Sequence, residues 1–71
     1  MYEELKALDG FTFRRGSSEF KLMYSGGLCR VVALLEKKPG QGYRYCGYFD
    51  NCSDASDVFR KMYKFFGGIV W

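Results

Sequence analysis

A glycine pair, Gly26-Gly27, divides the stretch Ser18 to Leu35, SEFKLMYSGGLCRVVALL, and constrains this chain more than any other feature. Apolar and polar residues alternate on both sides of it, the period of a half-buried β-strand. Glycine adopts positive φ without steric cost, so a Gly-Gly pair between alternating runs predicts a hairpin with a two-residue loop. Ser25 then faces Leu28, and the register follows. Tyr24 pairs with Cys29, Leu22 with Val31 and Phe20 with Ala33 on an apolar face. Met23 with Arg30, Lys21 with Val32, and Glu19 with Leu34 fall on a mixed face. A sheet with one face buried and one in water has this pattern.

The flanking segments extend the hairpin into a domain. Tyr2 to Leu8, YEELKAL, predicts a short helix with Leu5 and Leu8 on one side and acidic residues in its first turn. A helix of that length persists only when docked. Phe11 to Arg15, FTFRR, alternates as an edge strand or extended lead-in, with Phe11 and Phe13 on one face and Thr12 and Arg14 on the other. Beyond Leu35 a polar loop, Glu36 to Gly42, holds the sole proline. Tyr43 to Phe49, YRYCGYF, is an aromatic strand with two possible registers. One points Tyr43, Tyr45 and Phe49 inward and leaves Arg44, Cys46 and Tyr48 outside; the other exchanges them. The first is preferred because it keeps the Arg44 charge in water.

Asp50 to Ser56 turns into a helix that Ser53 or Asp54 can cap, with Asp57 completing a variant capping box. In DASDVFRKMYKFF, residues Ala55, Val58, Phe59, Met62, Phe65 and Phe66 share one side, and Asp57, Arg60, Lys61 and Lys64 lie largely on the other. Gly67-Gly68 ends the helix, and Ile69 to Trp71 is an apolar tail expected to fold back on the core. The expected fold is α+β and two-layered. A three- to four-stranded antiparallel sheet carries the amphipathic C-terminal helix on one face, with a short N-terminal helix, in a single small domain over residues 1–71.

Composition narrows the function. With 48% apolar and 20% aromatic residues the chain folds rather than staying disordered. A net charge of +3 without a run of five like charges is mild, where a dedicated nucleic-acid binder usually shows a denser basic patch. Cys29, Cys46 and Cys52 are odd in number and lack zinc-site spacing, so no metal is expected. Cys29 reads as a core residue and the other two as exposed free thiols, which suits a reducing cytosol. No apolar run is long enough to span a membrane, and the start, MYEELKAL, is acidic, unlike a signal peptide. There is no histidine, and the eight carboxylates fall mostly at helix starts, turns or strand surfaces. The glycines make no phosphate loop, since they lack the strand-to-helix context. No catalytic residue and no cofactor is expected, and the chain reads as a non-enzyme.

What remains is surface. In the preferred register the outer sheet face carries Lys21, Met23, Arg30, Val32, Leu34, Arg44 and Tyr48, a basic field interleaved with apolar groups. Either the first helix or the C-terminal tail covers this face, or it is open to a partner, since Arg, Met and Tyr are enriched in interface cores. An alternative is nucleic-acid binding through Lys21, Arg30, Arg44 and the basic helix end, Arg60, Lys61 and Lys64. No aromatic pair is placed as in the sheet-based RNA modules. The chain is expected to be a monomer, or a homodimer sealed by sheet faces or by Trp71.

The layout of short acidic helix (MYEELKAL), hairpin (EFKLMYSGGLCRVVALLE), further strand (YRYCGYFDN) and immediate helix (DASDVFRKMYKFF) resembles small phage-encoded anti-CRISPR proteins. The resemblance covers most of the chain but is one of layout, with no motif from which a functional residue carries over. It implies a stoichiometric inhibitor in the host bacterial cytosol that binds a CRISPR effector complex and blocks its nucleic-acid access. Many members of that group are acidic mimics of nucleic acid. This chain is basic, which favours binding a protein surface or competing beside bound nucleic acid.

Overall fold

The computed structural model describes residues 2–26 and 30–67. Helix α1 (Tyr2–Ala7) leads into strands β1 (Thr12–Arg15), β2 (Ser18–Gly26), β3 (Val31–Lys37) and β4 (Tyr43–Phe49), followed by helix α2 (Ala55–Phe65). The four strands form one antiparallel sheet in the order β1-β2-β3-β4. This is the expected α+β architecture with the larger of the two anticipated strand counts. No helix among the described residues is long and apolar enough to cross a membrane.

Both helices pack on the same face. Leu5 and Leu8 of the N-terminal segment join Phe20, Leu22, Val32, Leu34, Phe49, Cys52, Val58 and Met62 in one buried cluster. Full burial of a leucine or valine side chain contributes about 1.5–3 kcal/mol, so this cluster is the main stabilising term. The capping box forms with one variation: the Asp54 carboxylate accepts from the Asp57 amide at 2.8 Å, while Asp57 accepts from the Ser53 amide at 3.0 Å. The first satisfies an amide that the opening helical turn leaves without a partner, and the second ties the Ser53 amide, just before the cap, to the same turn. At the other end the Phe66 amide donates to the Met62 carbonyl and Gly67, at φ 74, donates to Lys64. The expected continuation through Gly68 and the tail Ile69–Trp71 lie outside the described residues, as does Cys29.

The central hairpin differs from the expected register by three residues. Leu22 pairs with Leu34 and Tyr24 with Val32, and Gly26, at φ 75, lies opposite Val31. The connection is therefore residues 27–30 rather than Gly26-Gly27. Side chains alternate with period two, so an odd shift moves every residue of β3 to the opposite face. Val32 and Leu34, expected on the outer face, are fully buried in the core. Ala33, expected inside, lies opposite Met23 on the outer face. The physical reason is burial: the shift exchanges Val31 and Ala33 for the larger pair Val32 and Leu34 beneath the helices.

Candidate interaction face

The face turned away from the helices is assembled by a β-bulge. Leu34 pairs with Gly47 but Leu35 pairs with Tyr45, so Cys46 is an extra residue in β4. An inserted residue reverses the alternation of the strand that follows it. Tyr43 and Tyr45 before the bulge and Tyr48 after it consequently share one face. Neither register expected for β4 holds along its whole length: Tyr48 lies outside and Phe49 inside as expected, but Tyr43 and Tyr45 are not in the core. Gly47, beside the bulge on the inner side, lets Phe65 pack close, since a Cβ there would sit 3.2 Å from the Phe65 ring.

Cross-strand pairing gives this face three rows. Arg14, Glu19, Lys37 and Tyr43 form the first; Thr12, Lys21, Leu35 and Tyr45 the second; Met23, Ala33 and Tyr48 the third. Tyr45 is 66% exposed, Tyr48 58% and Met23 42%. Tyr43 is held more firmly. Its hydroxyl donates to Glu19, and the Lys21 ammonium stands 5.3 Å from its ring centroid, a cation–π contact. The hydrogen bond to Glu19, with some desolvation and the nearby negative charge, raises the Tyr43 phenol above its ordinary value. Aromatic rings thus meet water here beside basic side chains, with one carboxylate among them.

Of the residues expected on this face, Lys21, Met23 and Tyr48 are there. Val32 and Leu34 are in the core. Arg30, at φ 48 in the hairpin connection, turns its Nε to the Cys52 carbonyl at 2.9 Å and ties the connection to the loop before α2. Arg44 pairs across β3 with Glu36, in the row of Phe20, and so lies on the helix side, beyond the edge of the core. The preference for Arg44 in water holds, but on the other face. The alternative nucleic-acid set is likewise dispersed. Arg60 and Lys61 both bond Asp57, at 3.0 and 2.9 Å, and Lys64 is exposed near the end of α2. Those three lie in the opposite layer from Lys21.

Tyr43, Tyr45, Leu35, Arg14 and Lys37 belong to the face and were not among the expected site residues. A readable signal was Gly47, since glycine inside a strand often marks a bulge or a close backbone approach.

Several polar and titratable side chains away from this face have structural partners. Ser18 donates to Glu36 at 2.8 Å, and Asp9 accepts from the Tyr24 amide at 3.0 Å. Asp57 is held below the usual carboxylate range, chiefly by the Lys61 hydrogen bond and then by the Ser53 amide. Cys52 is fully buried rather than exposed, and Cys46 is half-buried; desolvation pushes both thiols up, away from the reactive thiolate. Comparison with protein-family models, with curated proteins and with solved structures returns no match.

Proposed function

We propose that this chain is a non-catalytic protein-binding module that engages its partner through the tyrosine-bearing face of the sheet. The observation that supports this reading is the grouping of Tyr43, Tyr45, Tyr48 and Met23, all exposed, on the face opposite both helices. Tyrosine and methionine supply large contact area, and tyrosine keeps a polar end for water or a partner hydrogen bond. The structural bonds of Asp9, Glu19, Glu36, Asp54 and Asp57 agree with a non-catalytic role. The partner we propose is a host CRISPR effector complex, met in the bacterial cytosol and blocked stoichiometrically, as the resemblance of the sequence layout to anti-CRISPR proteins implies.

The test is capture of purified CRISPR effector complexes by the immobilised chain, with and without nuclease. Nuclease-resistant capture that is lost on changing Met23, Tyr45 and Tyr48 together to serine supports the reading. Capture unaffected by that triple change removes the face from the interface, and no binding to any effector removes the inhibitor.

A second reading has its own support. Arg14, Lys21 and Lys37 share the face with the tyrosines, and base stacking on aromatic rings contributes about 1–3 kcal/mol per base in single-strand binders. Capture that disappears with nuclease, and an affinity for oligothymidylate that falls steeply with salt, would favour it over a protein partner.

A further inference from the structure

We propose that a notch at one end of the sheet binds a phosphate-type oxyanion. It lies between the β1–β2 turn and the β3–β4 loop and has a volume of about 160 Å³. Arg14, Ser17, Lys37 and Lys38 line it, with the Pro39-Gly40 turn and Glu19. The site follows from register. Arg14, Glu19 and Lys37 are cross-strand neighbours on three successive strands, so pairing alone brings both cations to one place. Lys38 is added by the loop, where the Gln41 amide bonds the Lys38 carbonyl at 3.0 Å and closes the turn.

Three cations face one carboxylate, and Glu19 already accepts the Tyr43 hydroxyl. An arginine fork with two ammonium groups and a serine hydroxyl suits a compact anion that presents several oxygens. This site goes beyond the protein-binding reading and stands whichever macromolecule the tyrosine face takes. The phosphate has two chemical sources. It is free, or it belongs to a nucleic-acid strand whose bases lie on Tyr43 and Tyr45, the aromatic groups at the ends of the first two rows.

The test is an amide NMR titration of the intact chain with inorganic phosphate, against sodium chloride at matched ionic strength. Saturable shifts confined to Arg14, Ser17, Lys37, Lys38 and Gly40 are expected. The combined change Arg14→Ala and Lys37→Ala should weaken binding about tenfold or more, as expected for loss of charge-assisted bonds. Glu19→Gln should tighten it about twofold or more by removing the repelling charge. If the double variant loses its dispersed spectrum, Lys38→Ala serves, because its side chain comes from the loop. Shifts that do not saturate, or that chloride reproduces, overturn the site, as does binding indifferent to all of these changes. A parallel titration with oligothymidylate identifies the source. Notch amides moving together with Tyr43 and Tyr45 assign the phosphate to a strand, whereas a response to inorganic phosphate alone assigns it to the free anion.

Discussion

Toward the helices the sheet presents Phe13, Phe20 and Phe49, met by Phe65 and Phe66 at the end of α2; away from them it presents Tyr43, Tyr45 and Tyr48. The phenylalanines touch one another. Phe13 stacks on Phe20 at 5.3 Å, and Phe66 meets Phe20 edge-on at 5.2 Å. Arg15 lies over the Phe66 ring at 4.6 Å and closes that end of the cluster. The tyrosines are held by a hydroxyl and an ammonium at Tyr43 and project into water at Tyr45 and Tyr48. Two aromatic surfaces on one sheet therefore do different work. A ring without a polar end gains by leaving water and packing edge-to-face, while a ring with a hydroxyl keeps its polar end hydrated and its face available.

The largest expected effect is on the helix side. Leu34→Ala deletes a fully buried side chain and should cost about 2–5 kcal/mol in denaturant unfolding. A loss below about 1 kcal/mol, the range of a surface position, would mean that the two faces are assigned the wrong way round. Gly47→Val comes next. Its branched side chain would collide with Phe65, and overpacking of this kind costs about 1–3 kcal/mol, discounted here because the Phe65 ring is half-exposed and can yield. A neutral or stabilising result would remove the close approach that accompanies the bulge.

On the tyrosine side the effect on stability should be small. Tyr45→Ser with Tyr48→Ser should cost no more than about 1–2 kcal/mol in total, the scale of two cross-strand pairs. A cost of 3 kcal/mol or more, on the scale of about 3–5 kcal/mol for deleting a core aromatic, would show that the face is part of the fold and not an open surface.

The smallest effect is spectroscopic. In a pH titration followed by ring NMR signals, Tyr43 should ionise above the ordinary tyrosine value, because its neutral form donates to Glu19. In Glu19→Gln the midpoint should fall toward that value. The same bond favours the fold fully below the unfolded-state pKa and ceases to do so as pH rises through the raised folded-state value. An unchanged midpoint in Glu19→Gln would break the assignment of Tyr43 as the latched member of the row.

Much of this was legible in the residues. Leu5 and Leu8 marked the docked side of α1, Asp54 and Asp57 marked the start of α2, and Val58 and Met62 marked its buried stripe. Each depends on neighbours within one or two helical turns, where spacing and capping decide the outcome. The outer face of the sheet was less legible. Lys21, Met23 and Tyr48 were placed correctly, but Arg30, Val32, Leu34 and Arg44 depended on assumptions about loop length and continuous alternation. A four-residue connection in place of a two-residue one moved Val32 and Leu34 inward, and one extra residue at Cys46 moved Tyr43 and Tyr45 outward.

The sequence by itself determined both helices and the three longer strands, since those follow from hydrophobic period, caps and glycine positions within each segment, and it left residues 11–15 as an edge strand or a lead-in. Only the tertiary structure decided which strand residues face the helices. Facing depends on register, and register is set between segments, by the volume that fits beneath α1 and α2 and by the bulge that admits Phe65 over Gly47. A strand carries both of its faces in one string of residues; the partner it packs against selects the one to bury.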